Sequence, residues 1–108
     1  MKTKLFSLGA AAAAIVALSM NVQAADPIKI GMMAETTGPN AEAGVYQVNG
    51  AKMAVEEVNA AGGVLGRPIE LRTEDNQSTN PGSVLAISKL TSGNDITALI
   101  GSVRSTQI

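Results

Sequence analysis

The chain has 108 residues and a formal net charge of −1, with no histidine, no cysteine, no tryptophan, one tyrosine and one phenylalanine. The missing His and Cys remove the commonest general bases, thiol nucleophiles and transition-metal ligands, and no disulfide can brace the fold. The mild acidity speaks against nucleic acid or an anionic membrane surface as a partner.

Lys2 and Lys4 open the chain, and Leu5 to Met20 follow as an uncharged, alanine-rich run. Val22-Gln23-Ala24 then sets small or modest side chains at the −3 and −1 positions of a cleavage site. This layout predicts a secretory signal peptide over residues 1–24, cleaved before Ala25. A membrane anchor is the competing reading, but the run is shorter than the ~20 residues a spanning helix needs. No cysteine follows it, so a lipid-anchored form is not expected. Cleavage leaves six Lys/Arg against nine Asp/Glu, a net of −3.

Residues 25–108 are the expected folded segment. Tyr46 is their single aromatic, so the core has to be aliphatic. Ile28 to Ala34 starts with weak alternation and becomes continuously apolar, which predicts a strand buried on both faces. Glu35 to Gly44 is a loop with Gly38-Pro39 turn chemistry. Ala41 to Ala60 reads as a helix with Val45, Val48, Ala51, Val55 and Val58 on one stripe. Gly62-Gly63 ends it. Gly66-Arg67-Pro68 turns the chain into Ile69 to Asp75, an alternating strand expected near a sheet edge. Asn80 followed by Pro81 predicts an N-cap with proline at the first helical position. Val84, Ile87 and Leu90 then form a buried stripe, with Gly93 as the cap. Ile96 to Ile100 is a third strand.

Strand, helix, strand, helix, strand predicts an α/β fold: the start of a doubly wound parallel sheet with right-handed crossovers. In the order 2-1-3 the helices cover opposite faces, and ligands bind at the switch point beyond the carboxyl ends of strands one and three. Two segments line it, Glu35 to Gly44 and Gly101 to Gln107. The second offers the hydroxyls of Ser102, Ser105 and Thr106, the Arg104 guanidinium and free backbone N–H groups. A helix starting near Ser105 or Thr106 would aim its first N–H groups at an anion such as a carboxylate. A simple capping role for those hydroxyls is compatible with that. Thr36, Thr37 and Gly38 offer further polar contacts or form an ordinary turn. Ala43 is small and leaves space. Asp75 is expected to cap the turn after its strand, and Met32 and Met33 to be core. No GxGxxG follows strand one and no GxxxxGK[ST] occurs, so neither dinucleotide nor phosphate-loop chemistry is indicated. No cofactor is expected.

Several stretches carry a family resemblance: Ile28-Lys29-Ile30-Gly31, Thr37-Gly38-Pro39, Asn49-Gly50-Ala51, Val58 to Pro68, Glu74-Asp75-Asn76 and Ala98-Leu99-Ile100-Gly101. The segment Asn59 to Pro68 is the most specific of them. Together they resemble the periplasmic leucine/isoleucine/valine-binding proteins, solute-binding subunits of ABC transporters with the type I periplasmic binding fold. The resemblance covers nearly all of residues 25–108. It implies two α/β lobes with the ligand held between them, and this chain as the N-terminal part of lobe 1, incomplete and a fragment of a longer product. It also implies that Ser105 meets the backbone carboxylate of an amino-acid ligand, with Thr106 beside it. Ala43 falls where relatives often carry an aromatic ring against the ligand side chain. Arg104 stands where amino-acid binders more often have a small or apolar residue; it either holds an acidic ligand group or faces solvent, and solvent is the favoured reading.

The expected function is an extracytoplasmic, periplasmic solute-binding protein. It would deliver an amino acid, branched-chain or a related small solute, to an ABC transporter permease. A ligand-sensing receptor domain of the same fold is the alternative. A secreted α/β enzyme with catalytic residues beyond Ile108 has no visible support, so no enzymatic activity is expected.

Overall fold

The computed structural model describes residues 25–107; the predicted signal peptide lies outside them. The elements are β1 (Ile28–Ala34), α1 (Ala41–Ala60), β2 (Ile69–Asp75), α2 (Asn80–Thr91), β3 (Ala98–Ile100) and a short 3-10 turn, Ser105–Gln107. The three strands form one sheet in the order β2-β1-β3, with both pairings parallel. Ile28 stands opposite Ile69 and Ala34 opposite Asp75, while Gly31 stands opposite Leu99. The predicted doubly wound α/β arrangement is the observed one.

Two aliphatic clusters sit on the two faces of β1. Met32 and Ala34 pack with Val48 of α1, and Met33 packs with Ala86 and Leu90 of α2. Successive strand side chains point to opposite faces, so the helices cover opposite sides of the sheet. Both methionines are core, as expected. β1, α1 and β2 have the predicted bounds. The α1 stripe is rotated slightly: Gly44 and Val48 are its buried members, while Val45 is exposed.

α2 departs from expectation at both ends and along its face. Its N-cap is Thr79, not Asn80: Thr79 is extended (φ −129°, ψ 151°) and its hydroxyl accepts from the Gly82 amide at 3.0 Å. Its buried face is Ser83, Ala86 and Leu90, and Val84 is 70% exposed. Ser83 is drawn inward because Asn76, itself buried, donates its side-chain amide to the Ser83 hydroxyl at 3.2 Å. The C-cap is Ser92, and the positive φ after the helix falls on Asn94 rather than Gly93. β3 begins at Ala98, two residues later than predicted.

The segment Asn59 to Pro68 is a structural connector. The Asn59 side chain accepts from the Ile69 amide (2.7 Å) and donates to its carbonyl (2.9 Å), tying the end of α1 to the start of β2. Gly63 has φ +79°, and a Cβ there would stand 2.0 Å from the Arg67 carbonyl oxygen, so glycine is required. The Ile28 amide donates to the Pro68 carbonyl at 2.8 Å, and Arg67 Nε donates to the Asp26 carbonyl at 2.8 Å. These contacts lie at the amino-terminal end of the sheet, opposite the strand ends where the candidate site is built.

Candidate functional site

Beyond the carboxyl ends of β1 and β3 lie the two segments singled out above, residues 35–44 and 101–107. The first rests on the loop after β2. The Asp75 carboxylate accepts from the amides of Thr36 (2.9 Å) and Thr37 (3.2 Å), from the Thr37 hydroxyl (2.5 Å) and from the Gln77 amide (2.9 Å). Asp75 therefore caps its own turn, as expected, and also clamps the loop after β1. Burial pushes its carboxyl upward, but the Thr37 hydroxyl and the Gln77, Thr36 and Thr37 amides outweigh that and hold it at about 2. Ser78 completes the clamp: its hydroxyl donates to the Thr37 carbonyl (2.8 Å) and accepts from the Asn40 amide (3.2 Å).

Glu35 sits at the junction of β1 and this loop and is fully buried. Its carboxylate accepts the Ser102 hydroxyl, which in turn accepts the Arg104 amide at 3.1 Å. From α1, Gln47 donates its side-chain amide to the Gly101 carbonyl at 2.7 Å. The first turn of α1 closes directly on this junction, since a Cβ on Gly44 would stand 1.9 Å from the Glu35 carbonyl oxygen.

Among the predicted site residues, Ser105 and Thr106 are exposed in the 3-10 turn beyond β3. Ser102 is buried, with its hydroxyl engaged by Glu35 and Arg104. Ala43 is exposed on the first turn of α1, and Arg104 is exposed. The Thr37 hydroxyl is committed to Asp75. A groove of about 480 Å³ runs along the flank of α2, lined by Met33, Ser83, Val84, Ile87 and Thr106 among others. It shares only Thr106 with the predicted site residues. Among the described residues no group of His, Cys, Asp or Glu is arranged to hold a metal ion.

Sequence reasoning missed Glu35 and Gln47. A glutamate opening a polar loop reads as solvated, and its partner Ser102 lies 67 residues away. The sequence signal that was present is positional: a carboxylate directly after a fully buried strand end.

Residues 27–107 match the family model described as periplasmic binding protein. The leucine-, isoleucine-, valine-, threonine- and alanine-binding protein of Pseudomonas aeruginosa is 36% identical over 95 residues, covering 88% of this chain and 25% of that protein. A Leu/Ile/Val-binding protein of Rhizobium johnstonii is 38% identical over 78 residues, 72% of this chain and 21% of its own length. The isoleucine-bound LivJ from Streptococcus pneumoniae superposes with a TM-score of 0.67 at 36% identity, covering 70% of this chain and 22% of that one. A type 1 periplasmic binding protein from Bordetella pertussis gives a TM-score of 0.72 at 36% identity, covering 76% and 22%. The chain thus spans a quarter or less of the length of these relatives. The chain belongs to the periplasmic binding protein family, and its parallel β2-β1-β3 sheet with two flanking helices matches the type I fold of that family.

Proposed function

We propose that this chain forms one wall of a solute site in an extracytoplasmic binding protein that delivers an amino acid or related small solute to an ABC transporter permease. The observation that carries this reading is the Ser102–Glu35 hydrogen bond joining residues 101–107 to residues 35–44 beyond the ends of β1 and β3, with Ser105 and Thr106 exposed in the turn that follows. Its support is the family, whose relatives named above bind branched-chain and other small amino acids. Ser105 and Thr106 are the direct contacts to a ligand carboxylate. Ser102 holds the same loop from beneath, and Ala43 bounds the pocket from α1. Residues 1–24 direct export and are removed before Ala25. The role is binding rather than catalysis.

Calorimetric titration of the full-length protein with a panel of amino acids, amides and urea tests this. Saturable binding of at least one panel member, weakened by Ser105→Ala, is the expected result. No binding across the panel overturns it. Intact-mass measurement of the exported protein tests the leader, with an N-terminus at Ala25 expected.

A further inference from the structure

Three contacts converge on the turn that carries Ser105. Gln47 donates to the Gly101 carbonyl (2.7 Å), Ser102 donates to Glu35, and the Arg104 amide donates back to the Ser102 hydroxyl (3.1 Å). Glu35 reaches this turn from the end of β1. It is completely inaccessible, whereas Ser105 and Thr106 in the same neighbourhood are exposed. A group that touches solute has to be reachable from the crevice, and Glu35 is not.

Stability alone is a poor reason for a carboxylate at this position. Burying a charged group is unfavourable unless its oxygens are satisfied. One oxygen of Glu35 receives Ser102; the other has no hydrogen-bond partner among the described residues. A leucine of similar volume would avoid that cost. It could not accept the Ser102 hydroxyl, and so could not fix the oxygen that holds the Arg104 amide.

We propose that Glu35 is a positioning residue for solute binding: through Ser102 it sets the backbone of residues 101–104 and so the direction in which Ser105 and Thr106 face the crevice. This rests on the solute-binding reading above and adds to it a determinant that never touches the solute. The acceptor oxygen is what matters, not the charge, so glutamine can replace it and leucine cannot.

Wild type, Glu35→Leu, Glu35→Gln and Ser102→Ala of the full-length protein are compared by two readouts. The first, without solute, is hydrogen–deuterium exchange of the peptide covering residues 101–107. The second is the dissociation constant for whichever amino acid of the panel the wild type binds. Expected is faster exchange in E35L and S102A, with affinity about ten-fold weaker in both, the size of one lost hydrogen bond. E35Q keeps wild-type exchange and affinity, and the melting temperature of E35L does not fall with its affinity. Wild-type exchange and affinity in E35L, or an E35Q as impaired as E35L, overturns the proposal. If E35L does not fold, S102A decides by the same two readouts. A wild type that binds no panel member overturns the solute-binding reading instead, while the exchange arm still judges the Glu35–Ser102 coupling.

Discussion

The Thr37 hydroxyl lies 2.5 Å from Asp75 Oδ2, joining the loop after β1 to the end of β2 across 38 residues of sequence. The same carboxylate gathers the amides of Thr36, Thr37 and Gln77, and it titrates at about 2. Because the folded-state value is depressed, the stabilisation is present above the unfolded value of ~3.9 and is lost as pH falls towards 2. The shift corresponds to about 1–2 kcal/mol once solvent screening is allowed for. Unfolding of the full-length protein should therefore ease between about pH 4 and pH 2, and Asp75→Asn should flatten that dependence. Denaturant midpoints across this window, wild type against D75N, check it; parallel curves would remove Asp75 as the cause.

Two glycines of α1 predict opposite outcomes for one substitution. A Cβ on Gly44 meets the Glu35 carbonyl oxygen at 1.9 Å, and both partners are backbone that cannot rotate away. Gly44→Ala should cost about 2–3 kcal/mol by forcing α1 off the end of β1. Gly50, mid-helix and exposed, has nothing within 4 Å of its Cβ position. Gly50→Ala should stabilise by about 0.5–1 kcal/mol, because alanine gives up less backbone entropy in a helix. Chemical unfolding of the two variants separates them by sign.

The contrast between these elements shows what periodicity conveys. β1, α1 and β2 were legible because each presents a sustained apolar pattern to one or two faces. α2 was misread by one residue because its inward face includes Ser83, which hydropathy scores as solvated and which Asn76 makes burial-competent. The same limit hid Glu35. Buried polar groups are specified by partners distant in sequence, Ser102 for Glu35 and Gly101 for Gln47. Local pattern carries no trace of such pairs. The parallel sheet was legible from the alternation of elements, and the order β2-β1-β3 is the one expected of a doubly wound fold.

Leu65 holds φ +51° in the two-residue turn between Val64 and Arg67, followed by Gly66 at φ +73°, and it is 95% exposed. Such a turn favours Asn-Gly, and a leucine there keeps the left-handed strain with no burial to offset it. Leu65→Asn should raise stability by about 1 kcal/mol. Solute affinity should not change, because this turn is at the opposite end of the sheet from Ser105. A thermal melt and one titration suffice.

Ala43 stands exposed on the first turn of α1, beyond the carboxyl end of β1. If it bounds the solute pocket, an aromatic ring there gains contact with an aliphatic solute side chain. Ala43→Tyr should strengthen leucine binding relative to alanine binding by about five-fold, the worth of one aromatic contact. Equal change for both solutes would place residue 43 outside the pocket.

Among the described residues, one edge of β3 has no strand partner. β3 pairs with β1 on one side, and Leu99, Ile100 and Val103 are exposed beside it, as are Val84 and Leu85 on α2. Unpaired edges with adjoining apolar surface favour association between chains. Among the described residues, the buried members of the two clusters are Met32, Ala34 and Val48 on one face and Met33, Ala86 and Leu90 on the other, with Ala51, Leu71 and Ile87 partly buried against them. So small a core barely offsets the entropy of ordering a chain of this size. Residues 25–108 expressed alone should therefore aggregate or unfold without a cooperative transition. A sharp thermal transition with dispersed amide resonances would show that the two clusters suffice, and that the exposed edge is tolerated in solution.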